Sequence, residues 1–128
     1  MRLLLDTHAF LWFLLNDPRL STTARALIAD PNNGIEVSPA TYWEIAIKIS
    51  LGKCVLPEPF QEFMEREIAT NQFRILPIEP RHVTPLTTLP FHHRDPFDRL
   101  LVAQAMVEQI PLVSNDPALD AYPVRRLW

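Results

Sequence analysis

The chain has 128 residues, 48% apolar and 21% charged, with a formal net charge of −3. This is one globular domain, residues 1–128, long enough to bury its own core; disorder is excluded, and the acidic balance argues against avid, unspecific binding to nucleic acid. The single cysteine, Cys54, excludes an internal disulfide, four scattered histidines beside one thiol lack zinc-ligand spacing, and two glycines, Gly34 and Gly52, leave no phosphate-binding loop or dinucleotide fingerprint.

Residues 3–5, Leu3-Leu4-Leu5, are a continuous apolar run of the kind a strand buried on both faces requires. Asp6 and His8 interrupt the run and no small-residue cleavage site follows, so it is not read as a signal peptide. Residues 9–15 are too few to cross a bilayer, and a cytoplasmic protein with no membrane partner is expected. Asp6-Thr7 ends the strand and caps a helix to about Asn16. Ser21 opens a second helix, which Pro31-Asn32-Asn33-Gly34 ends. Residues 35–37 form a second strand.

Ser38-Pro39 opens a third helix, with Ser suited to the N-cap and Pro to the first helical position; it runs to about Leu51, where Gly52 is a C-cap. Residues 57–70 read as a helix, 73–78 as a strand whose Pro77 marks an end or an edge, and 80–86 as a short helix. Asp95-Pro96 starts the longest amphipathic segment, to Gln109. Residues 111–114 are a fourth strand, Asp116-Pro117 opens a last short helix, and residues 124–128 form a final strand. Strands alternating with helices predict an α/β/α sandwich around a parallel sheet of four to five strands.

Open parallel sheets bind ligands beyond the carboxyl ends of their strands. Asp6 follows the first strand and Asp116 follows the fourth, so two acids stand on that rim. In the third helix, at about 100° per residue, Thr41, Glu44 and Lys48 share a narrow polar stripe and apolar residues fill the rest, which predicts a largely buried helix whose stripe faces water, a partner or a site. Asp98 falls in the first turn of the long helix.

Each acid also has a local explanation. Asp6 and Asp116 suit N-caps, Glu44 can pair with Lys48 at i, i+4, and Asp95 at the N-cap leaves Asp98 at the third helical position, where an acid favours helix initiation. None of these accounts explains why several acids should converge on one rim. Ionised together they repel, and a hard divalent cation such as Mg²⁺ or Mn²⁺ resolves the repulsion and can bridge to a substrate phosphate.

The pieces Leu4-Leu5-Asp6-Thr7-His8, residues 38–48, residues 93–105 and Leu112-Val113-Ser114-Asn115-Asp116 together resemble the PIN-domain family, and within it the VapC-type toxins of bacterial toxin–antitoxin pairs. The resemblance spans nearly the whole chain. It implies Mg²⁺- or Mn²⁺-dependent hydrolysis of RNA, leaving a 5′-phosphate and a 3′-hydroxyl. It assigns Asp6, Glu44 and Asp98 as the principal acids, Asp116 as a fourth, and Ser114 as a supporting hydroxyl beside the site. It also implies a cognate antitoxin, while small size and strongly apolar helices suggest a homodimer. Thr7 is taken as a further supporting residue, and Lys48 and Arg99 as candidates for contact with the substrate backbone. His8 is read as pointing into packing, His92 and His93 as solvent-exposed loop residues, and the aromatic residues Phe10, Trp12, Phe13, Tyr42 and Trp43 as core or dimer surface.

Two other readings compete. An aspartyl-nucleophile phosphatase would carry a second Asp two residues after the first, where this chain has His8. A non-catalytic, receiver-like partner-binding module would need a late lysine, where this chain has only Arg125 and Arg126.

Overall fold

The computed structural model describes residues 1–128. Five short strands, β1 (Arg2–Leu5), β2 (Gly34–Val37), β3 (Arg74–Ile75), β4 (Leu112–Val113) and β5 (Arg126–Leu127), form one sheet in the order β3-β2-β1-β4-β5. Every pairing is parallel. Six helices complete the chain: α1 (Thr7–Leu14), α2 (Thr22–Ala29), α3 (Pro39–Ser50), α4 (Phe60–Thr70), α5 (Pro80–Val83) and α6 (Pro96–Glu108). The expected α/β/α sandwich with a parallel sheet is the architecture observed.

Alternation along β1 sets the three layers, because successive side chains of a strand leave opposite faces. Leu3 and Leu5 enter one core with Phe10 of α1, Ala24 and Ile28 of α2 and Phe63 of α4. Leu4 enters the other, with Leu101, Val102 and Ala105 of α6. All three leucines are fully buried, and each contributes roughly 1.5–3 kcal/mol of transfer free energy.

The helix boundaries follow the caps. The side chains of Asp6, Ser21, Ser38 and Asp95 each accept a backbone N–H of the helix they open, and Pro39 and Pro96 begin α3 and α6 at positions where no N–H is needed. Gly52 takes a φ of 71° just after α3, a left-handed conformation that glycine adopts without steric penalty.

Some expected elements come out differently. The strand expected over residues 73–78 is only two residues long and exposed at the sheet edge, since Pro77 has no N–H to extend the ladder. Helix α4 begins at Phe60 rather than 57, because Pro57 and Pro59 delay it. The helix expected over 80–86 divides into α5 and a 3₁₀ turn at Thr84–Thr87, and the segment opened by Asp116-Pro117 is likewise a 3₁₀ turn, Pro117–Ala121. No helix is long and apolar enough to cross a membrane.

The chain order positions the site. From β1 the chain builds outward through β2 to β3, then returns to the other side of β1 to lay down β4 and β5. The connections therefore diverge between β1 and β4, and a crevice opens beyond their carboxyl ends.

Candidate metal centre

Asp6 stands at that crevice because β1 ends there. Its amide donates to the Val113 carbonyl at 3.0 Å, continuing the register in which Leu5 pairs with Val113. Its Oδ1 accepts the Ala9 amide at 2.8 Å as the cap of α1, so the cap reading is right. It is also incomplete, because the carboxyl is only 5% exposed and a surface cap would keep its water. Burial pushes the Asp6 carboxyl above the usual carboxylate range, the nearby Glu44 adds to this, and hydrogen bonds from Ser114 and Ala9 oppose it.

Helix α3 turns its polar stripe towards the site, one of the directions its sequence allows. Trp43 is 60% exposed, while Thr41 and Glu44 of the polar stripe are buried, Glu44 to 8%. The apolar girth is buried or half-buried except at Trp43 and Leu51: the stripe points inward and an indole points out. Glu44 is held from two sides. Thr7 Oγ1 donates to its Oε1 at 2.6 Å, and Lys48 Nζ lies 3.3 Å from its Oε2. One turn before it, the buried Thr41 hydroxyl has no protein partner.

Asp98 lies at the start of α6, where its amide donates to Asp95 Oδ1 at 3.0 Å. Asp116 follows β4. Ser114 Oγ accepts the Asp116 amide at 3.1 Å and turns the chain back towards the crevice, and Asp116 Oδ1 accepts the Ala118 amide at 3.0 Å. Between the two acids lies an imidazole. His93 Nε2 is 2.9 Å from Asp116 Oδ2 and 3.2 Å from Asp98 Oδ2. These three side chains form a tight cluster whose ligand atoms all lie within 4.8 Å of one another.

Asp6, Asp98 and Asp116 line one cleft of about 340 Å³, together with His8, Trp12, Asn115 and Pro117. Glu44 does not line this cleft, but its charge raises both Asp6 and Asp98. The Asp98 carboxyl is pushed up to about 7, first by burial, then by Asp95, Asp6 and Glu44, with His93 opposing. An acid raised by burial, and further by acidic neighbours, is one whose ionised form a shared cation would stabilise. Oxygen donors of this number and charge suit a hard divalent ion better than a soft one. A larger cleft of about 750 Å³ between α3, α4 and β3 is mainly apolar, with Glu65 as its one carboxylate, and it offers no comparable chemistry.

The remaining expected residues divide. Ser114 and Thr7 are buried against Asp6 and Glu44 respectively. Lys48 reaches Glu44 and lies 3.5 Å from His8 Nε2. Arg99 is not at the cleft. Its guanidinium is buried and donates to the carbonyls of Leu89 at 3.0 Å and Pro90 at 2.8 Å, with the Phe91 ring 3.9 Å from it. It anchors the preceding loop and presents no face to a substrate. His8 does not enter the packing; it is exposed and stacks on Trp12 with ring centroids 5.1 Å apart. His93, read as an exposed loop residue, is instead the basic group of the cluster. Its signal was its place in the block of residues 93–105, although a histidine in a loop carries no period that would reveal where it points.

The family model described as PIN domain matches residues 3–124. No curated protein matches the chain in sequence. Among solved structures, VapBC2 from Rickettsia felis bound to a DNA fragment from their promoter is similar over 100% of this chain and 99% of that one, at a TM-score of 0.74 and 17% identity. FitAcB from Neisseria gonorrhoeae gives 98% and 96% coverage, a TM-score of 0.67 and 17% identity. VapBC-1 from nontypeable Haemophilus influenzae gives 99% and 97%, 0.62 and 17%. At these identities the likeness to the solved structures concerns the fold.

Proposed function

Because this chain belongs to the PIN-domain family, we propose that it is a divalent-metal-dependent endoribonuclease and the toxin of a toxin–antitoxin pair. The observation that carries the reading is the meeting of Asp6, Asp98 and Asp116, three acids far apart in sequence, in one cleft, with the charge of Glu44 felt there. Local capping and pairing account for each acid alone and leave the convergence without a cause.

Asp6, Asp98 and Asp116 would hold Mg²⁺ or Mn²⁺, with the charge of Glu44 felt at Asp6 and Asp98. When bound, such an ion activates water towards phosphorus and neutralises charge developing on the phosphate. The chain's own part is positional. Thr7 and Lys48 fix both oxygens of Glu44, the Ala9 amide fixes one oxygen of Asp6, and Ser114 sets the turn that returns Asp116. Lys48, beside the acids and partly exposed, would contact a substrate phosphate. Arg99 has no such role, since its donors are used within the loop.

RNA as substrate and a cognate antitoxin come from the resemblance to VapC-type toxins, and a homodimer from small size and apolar helices; the similarity in fold to VapBC2 and VapBC-1 supports the toxin–antitoxin reading. The test is cleavage of total RNA in Mg²⁺ or Mn²⁺ by the wild-type chain and by Asp6→Asn. Metal-dependent cleavage by the wild type, absent in a folded Asp6→Asn, is expected; full activity in Asp6→Asn overturns the assignment at this site.

A further inference from the structure

We infer that His93 is a positioning residue, which fastens Asp116 beside Asp98 and thereby sets the affinity of the cleft for its cation. The inference rests on the metal-site reading above and goes beyond it, since an acid cluster of this kind does not require an imidazole.

The ring is held by construction. The loop that carries it is anchored by the Arg99 guanidinium, bound to the Leu89 and Pro90 carbonyls. Tyr122 anchors it a second time, its hydroxyl donating to the Pro90 carbonyl at 2.7 Å and accepting the His93 amide at 3.0 Å. The ring orientation follows from the Asp95 amide, which donates to His93 Nδ1 at 3.1 Å. A nitrogen that accepts an N–H has its lone pair in that bond, so in the neutral ring the proton is on Nε2. That N–H is hydrogen-bonded to Asp116 Oδ2 at 2.9 Å, and Asp98 Oδ2 lies 3.2 Å from the same nitrogen.

Two consequences follow. First, the Nε2–H holds Asp116 while the ring stands beside Asp98, two carboxylates that otherwise repel, so it keeps Asp116 from swinging away from Asp98. With Oδ1 on the Ala118 amide and Oδ2 on His93, Asp116 is presented in one orientation. Second, His93 is not itself a ligand in this arrangement. Nε2 could offer a lone pair only by moving its proton to Nδ1, where it would oppose the Asp95 N–H. The ring therefore works through the acids.

The test compares Mn²⁺ affinity, by titration calorimetry, in the wild-type chain and in His93→Ala, His93→Asn and His93→Gln, with folding checked by circular dichroism in chelator. Partners that orient metal ligands are typically worth about 10–100-fold in affinity. His93→Ala is expected to weaken Mn²⁺ binding by about that factor. His93→Asn, whose amide is too short to place an N–H where Nε2 lies, should do the same and stands in if the alanine variant fails to fold. His93→Gln, which can place an N–H where Nε2 lies, should stay within about threefold of wild type. Binding by His93→Ala or His93→Asn as tight as wild type overturns the positioning role while leaving the metal site standing. Equal loss in all variants, glutamine included, overturns it in favour of a ligand role. A wild-type chain that takes up no Mn²⁺ sinks the underlying reading and this inference together.

Discussion

Replacing Asp98 by Asn in the metal-free chain tests the electrostatics of the cleft without relying on catalysis. In the folded chain the Asp98 carboxyl is pushed up to about 7 from its ordinary 3.8. Below both values it is protonated whether the chain is folded or not, and it contributes nothing to pH dependence. Between them the unfolded chain gives up its proton while the folded chain keeps it, so rising pH favours unfolding; above about 7 the penalty is complete. At about 1.4 kcal/mol per tenfold, the ceiling is about 4 kcal/mol. The Asp98 side chain is 25% exposed, and its titration is shared with its acidic neighbours, so about 2 kcal/mol is the working figure. Urea unfolding in chelator, for wild type and Asp98→Asn, reads the difference directly. The variant should be more stable than wild type by about 1–2 kcal/mol near pH 7.5, with the advantage gone near pH 4. Subtracting the two chains removes groups that titrate alike in both. A difference that stays flat across this range refutes the reasoning.

Arg99→Met should cost about 1–3 kcal/mol in urea unfolding, since it leaves the Leu89 carbonyl without its donor, while Pro90 keeps the Tyr122 hydroxyl. Arg99→Lys should recover little, because an ammonium cannot reproduce the guanidinium fork. Lys48→Ala, made in the inactive Asp6→Asn background, should weaken RNA binding and reduce the dependence of log Kd on log salt by about one; an unchanged slope would confine Lys48 to its pairing with Glu44.

The sequence carried the order of elements well because each boundary has a local chemical cause. Ser38-Pro39 and Asp95-Pro96 mark α3 and α6 where they begin, and Leu3-Leu4-Leu5 could hardly be anything but a doubly covered strand. Short strands were harder: β3 and β5 are two residues each, below the length at which a period of two can be recognised. The acids on the rim were legible from strand ends, because a parallel sheet collects those ends on one side. Side-chain direction was not. Nothing in the spacing of α3 says that Glu44 turns in and Trp43 out, since a buried polar stripe and an exposed one have the same period. Arg99 and His93 stand six residues apart and have opposite fates to those expected, the arginine turned into its own loop and the histidine turned into the site. Both outcomes depend on Tyr122, which is distant in sequence from both.

The claim on which the account depends is that these acids hold one divalent ion. Crystals soaked in Mn²⁺ and measured at the manganese absorption edge test it most directly. The account predicts an anomalous peak in the cleft, within coordination distance, about 2.1–2.3 Å, of carboxylate oxygens from Asp6 and Asp98, and its loss in Asp6→Asn. Saturating Mn²⁺ with no peak there, or with peaks only at acids elsewhere on the surface, would contradict it.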